Sequence, residues 1–144
     1  MLVGDIMTDQ VISICEDEPV TAAARLIKQN NIGSLPVRDN KGKLKGIVTD
    51  RDIVLRCVAA EDDPSDVKVG EIMSRNLVTI SSTTDAENAA KVMAKAQIRR
   101  VPVTDNGILV GIVALGDLAR SSQYEMEAAE ALSEISAAFR RRLK

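Results

Sequence analysis

The chain has 144 residues, of which 45% are apolar and 28% are charged, a composition typical of a globular protein with one domain or two small ones. Nineteen basic and 21 acidic residues give a net charge of −2, which offers no electrostatic basis for binding nucleic acid or a membrane surface. Histidine and tryptophan are absent, which excludes histidine-based catalysis, histidine metal sites and tryptophan stacking platforms.

The chain repeats itself at a spacing of 66 residues. Residues 3–8 (Val-Gly-Asp-Ile-Met-Thr) return as residues 69–74 (Val-Gly-Glu-Ile-Met-Ser), and residues 36–40 return as 102–106. Self-similarity of this kind indicates two copies of a unit that packs against its twin. We therefore predict a first repeat over residues 1–62, a second over 63–122 and a tail over 123–144.

Each repeat is predicted to run strand, helix, strand, strand, helix. The first repeat has β-rich runs at 11–14, 34–38 and 43–48, with helices starting near Pro19 and over 50–60. The acidic stretch 61–66 reads as a linker. These alternating elements predict an α+β fold, an α/β sandwich of two β-α-β-β-α repeats related by a pseudo-two-fold axis.

The second repeat follows the same order, with a helix over 85–96, strands over 100–104 and 109–113, and a helix from Leu115. Thr84 and Glu87 have the spacing of a capping box at the first of these helices. The tail predicts an amphipathic helix over 124–144, whose apolar face would contain Leu132, Ile135, Phe139 and Leu143. It is expected to cover its own core or a second subunit, with a different partner or a membrane surface as the alternative.

Targeting and redox features predict a cytoplasmic protein. No stretch approaches the roughly 20 apolar residues of a membrane span. The N-terminus also lacks the basic and apolar segments of a signal peptide. Cys15 and Cys57 fit no metal or redox spacing, so we expect two buried thiols in a reducing compartment.

The sharpest motif is the run Gly-Ile-Val-Thr-Asp-Arg-Asp at residues 46–52, where a strand is predicted to enter a helix. A helix N-terminus favours an anion, so the Thr49 hydroxyl could donate to a phosphate while the Asp52 carboxylate accepts from ribose hydroxyls. Arg51 lies in the same turn and is counted as a ligand-binding candidate. The alternative is that Thr49 and Asp52 merely cap the helix.

The second copy of this motif carries Ala114 and Asp117, so the hydroxyl is not required for folding and only the ribose-binding carboxylate is retained. Arg99 and Arg100 precede the Val-Pro-Val strand of the second repeat, where the first repeat has Gly33 and Ser34. Arginine forks bind phosphate strongly. With a pseudo-two-fold axis, these arginines are predicted to face the phosphate held near Thr49.

The chain resembles a tandem pair of CBS (cystathionine-β-synthase-type) domains, a Bateman module. The resemblance is carried by the repeated opening motif Val-Gly-(Asp/Glu)-Ile-Met, the Pro-Val strand and the closing motif Gly-Ile-Val-Thr-x-x-Asp. The resemblance covers residues 1 to about 122. It implies clefts that bind adenosine-containing ligands, with phosphate and ribose contacts from Thr49 and Asp52 and phosphate contacts from Arg99 and Arg100. It places adenine near Val11, Ile12 and Ser13, with Pro36 or Pro102 nearby, and implies dimerisation through helices around Ile27 and Val92.

Three functions remain open. The first is an energy-sensing regulatory module that binds AMP, ADP or ATP and acts on an effector protein that the sequence does not identify. The second is a sensor of S-adenosylmethionine or a dinucleotide, and the third is a structural dimerisation module. No enzyme is predicted, because nothing pairs a nucleophile with a base, and no cofactor, metal or membrane partner is expected.

Overall fold

The two repeats form two small β-sheets with helices packed on them, in a computed structural model that describes residues 1–120 and 125–143. In chain order, the elements are α1 (Val3–Ile6), β1 (Ile14–Cys15), α2 (Val20–Asn30), β2 (Ser34–Arg38), β3 (Leu44–Thr49), α3 (Asp50–Ile53), a π-helical turn (Val54–Val58), α4 (Val69–Ile72), α5 (Ala86–Ala96), β4 (Arg100–Asp105), β5 (Ile108–Ala114), α6 (Leu115–Ala119) and α7 (Glu125–Leu143). Within the described residues, none of the helices combines the length and the hydropathy of a membrane span.

Contacts divide the chain into two units, each built mainly from one repeat. The first-repeat unit consists of Ile12–Leu77 and Gly107–Leu109. The second-repeat unit consists of Met1–Val11, Val78–Asn106 and Val110–Lys144. The predicted α+β class is confirmed, while the repeat boundaries at residues 62 and 122 stay a prediction about the sequence repeat.

The first-repeat unit has a three-stranded sheet in the order β1-β2-β3. β1 runs parallel to β2, with Ile14 opposite Val37, and β2 runs antiparallel to β3, with Ser34 opposite Thr49. The core is apolar, as expected from the alternation of buried and partly buried residues along β3. It consists of Ile14, Val20, Ala23, Leu35, Val37, Val48, Cys57, Val69, Ile72 and Met73.

The second-repeat unit has a two-stranded sheet of β4 and β5. A single parallel bridge joins Ile80 to Val103, at the positions that Ile14 and Val37 occupy in the first repeat. α7 packs on α5 and α6, where it buries Ala128 and Ala131 against the same apolar core as Met93. The same strand pairing therefore recurs in both repeats, and the tail adds a helix that packs on the core of this unit.

The opening segment of each repeat belongs to the unit built from the other repeat. α1 lies in the second-repeat unit, where the Gly4 N–H donates to the Ser82 carbonyl at 2.9 Å. α4 lies in the first-repeat unit, where the Gly70 N–H donates to the Glu16 carbonyl at 3.0 Å. Each unit is therefore assembled from segments that are far apart in the sequence.

Three local predictions differ from the structure. The strand predicted over 11–14 is short and lies at Ile14–Cys15, and the helix predicted over 50–60 is α-helical only to Ile53 before the π-helical turn. The capping box at Thr84 is wrong, because α5 begins after Asp85 and has no side-chain cap. The Thr84 carbonyl instead accepts the Val3 N–H at 2.8 Å, which ties this turn to the opening segment.

The predicted tail helix is present as α7, but its apolar face is only partly as expected. Leu132 is 42% exposed, whereas Ala128 and Ala131 are buried at 3% and 2% exposure. Small residues let two helices approach closely, so α7 packs through its alanines rather than through Leu132. The side chains of Phe139 and Leu143, also predicted for this face, lie outside the described residues.

We expect Gly46→Ala to destabilise the protein by about 1–3 kcal/mol, because overpacking a close-packed site forces the backbone to shift. A Cβ at Gly46 would lie 2.6 Å from the Ser74 carbonyl oxygen and 2.7 Å from the Met73 sulfur. Gly33→Ala is the control, since its Cβ would lie 3.7 Å from the nearest atom, an ordinary contact. Urea unfolding of both variants measures the difference, and equal stability would contradict this account of Gly46.

Candidate functional site

The turn from β3 into α3 is closed by two reciprocal hydrogen bonds between Thr49 and Asp52. The Asp52 N–H donates to the Thr49 hydroxyl oxygen at 3.0 Å, and the Thr49 N–H donates to Asp52 Oδ2 at 2.9 Å. This is a capping box, the structural alternative considered for the motif. The spacing of the two residues therefore has a local structural role in the first-repeat unit.

The capping bonds leave polar capacity on both side chains. The Thr49 oxygen accepts one bond, so the hydroxyl proton remains available to a ligand acceptor. Asp52 uses Oδ2 for the cap, while Oδ1 lies 3.9 Å from Arg56 Nε in a loose ion pair. The Asp52 side chain is 14% exposed, so one carboxylate oxygen is oriented by the fold and still available at the surface. Capping and ligand binding are therefore compatible at this turn.

Two further serines lie beside this turn, and the sequence analysis did not identify them as site residues. Ser34 is the cross-strand partner of Thr49, and Ser74 exchanges two backbone hydrogen bonds with Ile47 at 3.0 and 2.8 Å. Ser74 ends the opening motif of the second repeat, and its counterpart Thr8 exchanges the same pair of bonds with Ile112. The sequence signal that could have identified Ser74 is the hydroxyl residue that ends the opening motif in both repeats, Thr8 in the first and Ser74 in the second.

The second-repeat unit contains a simplified form of the same turn. The Ala114 N–H donates to Asp117 Oδ2 at 2.8 Å, but Ala114 has no hydroxyl to return the bond. The other oxygen of Asp117 lies 3.2 Å from Arg120 Nη2, and the Asp117 side chain is 10% exposed. This turn therefore has the carboxylate without the hydroxyl, and the ribose contact of Asp117 stays a prediction.

Arg99 and Arg100 lie next to this second turn. The Arg99 carbonyl accepts the N–H of Leu115, the first residue of α6, at 2.8 Å, and both arginines are exposed. Within the second-repeat unit, the two arginines thus stand at the start of β4, beside the end of β5 and the turn that contains Asp117. Their predicted contact with the ligand of Thr49, which belongs to the other unit, stays a prediction.

The remaining candidates are dispersed. Val11 belongs to the second-repeat unit, and Ile12 and Ser13 belong to the first-repeat unit. The Ser13 hydroxyl accepts a bond from Arg38 Nε at 3.1 Å, at the end of β2 opposite to the end that pairs with Thr49.

The other candidates differ in their exposure. Pro36 and Pro102 are buried in β2 and β4, and Arg51 is exposed on α3. Ile27 and Val92, proposed for a dimer interface, are partly buried against the core of their own units.

Cys57 is not an activated nucleophile. Burial raises the pKa of its thiol, and the negative charges of Asp62 and Asp63 raise it further, which disfavours the thiolate. Cys15 and Cys57 are both free thiols, but the expectation of two buried thiols is wrong for Cys15, which is partly exposed. Among the described residues, no group of three or more cysteine, aspartate and glutamate side chains is arranged to hold a metal ion.

We expect Thr49→Ala to lower the free energy of unfolding by about 1 kcal/mol, the usual effect of removing a side-chain cap. Ala114→Thr should raise it by a similar amount, because Asp117 already accepts the reciprocal bond in the second-repeat unit. Thr49→Ser is the control that keeps the hydroxyl. Urea denaturation measures all three, and an unchanged stability of Thr49→Ala would contradict the capping role.

A family model described as CBS domain matches residues 3–59 and 69–124. The chain is 45% identical over 134 residues to CBS domain-containing protein YhcV of Bacillus subtilis (strain 168), an alignment that covers 93% of this chain and 94% of that protein. The crystal structure of Hypoxic Response Protein I with two coordinated zinc ions matches with a TM-score of 0.76 at 36% identity, over 84% of this chain and 98% of that one.

Two other solved structures contain adenosine compounds. The CBS domain pair of protein MJ0100, in complex with 5′-methylthioadenosine and S-adenosyl-L-methionine, is 34% identical with a TM-score of 0.69, over 83% of this chain and 94% of that one. CBSX2 in complex with AMP is 27% identical with a TM-score of 0.72, over 85% of this chain and 96% of that one. These are ligands of the similar proteins.

Proposed function

The chain belongs to the CBS domain family, and from this we propose that it is a regulatory module that binds an adenosine nucleotide: AMP, ADP or ATP. The observation that carries the proposal is the turn between Thr49 and Asp52, where a hydroxyl proton and a carboxylate oxygen remain available after capping. Similar CBS pairs hold AMP or S-adenosylmethionine, and adenosine is the part common to these ligands. That common part supports an adenosine ligand here.

Asp52 and Thr49 would each bind a different group of the ligand, the ribose and the phosphate. Asp52 Oδ1 would accept a hydrogen bond from a ribose hydroxyl, a charge-assisted bond that a deoxyribose cannot fully replace. The Thr49 hydroxyl would donate to a phosphate oxygen. The first N–H groups of α3 already donate to Gly33, Asp50 and Thr49, so the phosphate would depend on the Thr49 hydroxyl and on positive charge from elsewhere. Phosphate and ribose would then be bound side by side.

Arg99 and Arg100 would supply the positive charge that a phosphorylated ligand needs. Both are exposed, and neither forms an ion pair with any described residue. Guanidinium groups bind phosphate oxygens in bidentate geometry, which favours AMP over the uncharged adenosine. Ala114 lacks the hydroxyl of Thr49, which supports a weaker or different site at Asp117.

A regulatory role requires that occupancy changes the protein. A ligand alters a partner only when it binds one conformation more tightly than another. We propose that a homodimer transmits the occupancy to an effector protein in the cytoplasm, and that the ligand reports the energy state of the cell. The two free cysteines support a reducing compartment.

A sensor of S-adenosylmethionine or a dinucleotide is the alternative, because the MJ0100 domain pair holds S-adenosyl-L-methionine and 5′-methylthioadenosine. Asp52 could serve the same ribose in that case, but the arginines would have no phosphate to neutralise when S-adenosylmethionine binds. Thermal unfolding with AMP, ADP, ATP, S-adenosylmethionine and adenosine separates the two. A ligand at 100 times its dissociation constant stabilises by about 2.7 kcal/mol.

The expected result is a rise in melting temperature with at least one phosphorylated ligand and a smaller rise with adenosine. A rise with S-adenosylmethionine alone would favour the alternative. No rise with any ligand would favour a structural dimerisation module and contradict the nucleotide proposal.

A further inference from the structure

We propose that the first-repeat unit has a second ligand site, for a small molecule that carries a carboxylate or phosphate group, in a cavity of about 340 Å³ between β1 and α2. The volume lies in the range of small-molecule sites. The cavity includes Ser13 and Arg38, so it opens at the carboxyl end of β2, whereas Thr49 pairs with Ser34 at the amino end. This site is therefore separate from the proposed nucleotide site at Thr49 and Asp52.

The cavity combines an apolar wall with converging polar groups, the usual composition of a small-molecule site. Ile14, Ala22 and Leu26 provide the apolar wall, and Ile14 is only 3% exposed. The polar lining residues are Ser13, Cys15, Glu18, Arg25, Gln29 and Arg38. Two guanidinium groups against one carboxylate make the lining electropositive, which favours an anionic ligand.

Arg38 is held in place but not neutralised. Its Nε donates to the Ser13 hydroxyl at 3.1 Å, and its Nη1 donates weakly to the Asp39 carbonyl at 3.4 Å. The Asp39 carboxylate instead accepts the N–H groups of Lys41 and Lys43 at 2.8 and 2.9 Å. The half-buried guanidinium of Arg38 therefore keeps donor capacity that no described carboxylate satisfies.

Arg25 supplies the second positive charge from α2. It forms no ion pair with any described residue. Its counterpart in the second repeat, Lys91, is paired with Glu87 at 3.6 Å, whereas Thr21 stands four positions before Arg25. The charge of Arg25 thus remains available to a ligand in the cavity.

The fold does not require these groups. At the shift of 66 residues, Arg38 corresponds to Thr104 and Cys15 corresponds to Ser81. Ser81 donates to Asp105 at 3.2 Å, whereas Cys15 donates to Asn40 Oδ1 at 3.2 Å, so the side-chain partners at this position differ between the repeats. The guanidinium group of Arg38 is therefore specific to the first repeat, which favours a role in binding rather than in folding.

Cys15 makes the site testable. Its half-buried thiol lines the cavity, while Cys57 is fully buried, so iodoacetamide should alkylate Cys15 first. The alkylation rate of the full chain is measured with butyrate or inorganic phosphate as the anion probe and with butyramide as the uncharged control. Each variant is compared with its own rate without probe, since Arg38→Gln also changes the thiol's surroundings.

We expect saturable protection of Cys15 by butyrate or phosphate and little protection by butyramide. Arg38→Gln should raise the half-protecting concentration about tenfold or more, because a charge-assisted bond is lost. Lys91→Gln, the same charge change at the repeat-equivalent position of Arg25, should leave it unchanged. Asp52→Asn should also leave protection unchanged, since Asp52 belongs to the nucleotide turn.

No saturable protection by either anion would overturn the proposal, as would equal protection by butyramide or undiminished protection of Arg38→Gln. Protection by AMP that Asp52→Asn removes would also overturn it, because the cavity would then belong to the nucleotide site. A failure of the anion probes leaves the nucleotide proposal intact, since that proposal is tested by melting with adenosine ligands.

Discussion

Asp52→Ala is expected to weaken AMP binding by about 1.5–3 kcal/mol, roughly ten- to 150-fold, because a charged acceptor for the ribose hydroxyls is lost. The variant should also lose discrimination between AMP and deoxyAMP. Asp52→Asn keeps an acceptor for the Thr49 N–H, so its stability should stay near that of the parent while its affinity falls less. Calorimetric titration of both variants with AMP and deoxyAMP measures the effect.

The matched control for this result is Asp50→Asn. Asp50 lies in the same turn and carries the same charge, but its carboxylate accepts only the backbone N–H of Arg51 among the described residues. Ribose discrimination should therefore persist in Asp50→Asn. If the parent protein binds AMP and deoxyAMP equally well, Asp52 does not contact the ribose.

Replacing Arg99 and Arg100 together with glutamine is expected to weaken AMP binding about 100-fold or more, because two charge-assisted contacts to phosphate are lost. Adenosine binding should change little, since adenosine has no phosphate. Titration of the double variant with AMP, ATP and adenosine measures the difference. Equal losses for AMP and adenosine would show that the arginines act on the fold rather than on phosphate.

Lys91→Gln with Lys95→Gln is the control, since both lysines are exposed on α5 and the charge change is the same. Combining the arginine changes with Asp52→Ala then tests whether one ligand contacts both sets of residues. Residues that contact one ligand all lower the affinity of the same site, whereas residues of two separate sites each change only the affinity of their own site. An AMP affinity that depends on Asp52 but is unchanged by the arginine substitutions would assign the arginines to a ligand held near Asp117 instead.

Much of each unit was predictable because local periodicity and the repeat agree. The helix α5 ends at Ala96 as predicted, and the parallel pairing of Ile14 with Val37 recurs as Ile80 with Val103. The packing of α1 and α4 in the unit built from the other repeat was not predictable. The sequence of a repeated motif does not indicate which of the two units the motif packs in. Only hydrogen bonds such as Gly4 to Ser82 distinguish the two arrangements.

The site was predictable where the chemistry is local. Thr49 and Asp52 are three residues apart, so their spacing implied a shared turn, and the capping alternative followed from the same spacing. Ser74 was missed because it reaches β3 from a segment 27 positions away from Ile47 in the sequence. The Ser13 hydroxyl accepts a bond from Arg38 beside the cavity, a contact that the sequence did not indicate, and its role in an adenine site stays a prediction.

The most direct measurement of the central claim is a calorimetric titration of the parent protein with AMP. We predict saturable binding with a dissociation constant near the micromolar range, equivalent to about 8 kcal/mol, and at least one molecule per chain at the turn of Thr49 and Asp52. No saturable heat with AMP, ADP or ATP would contradict the claim. This holds whether the protein then binds S-adenosylmethionine or none of these compounds.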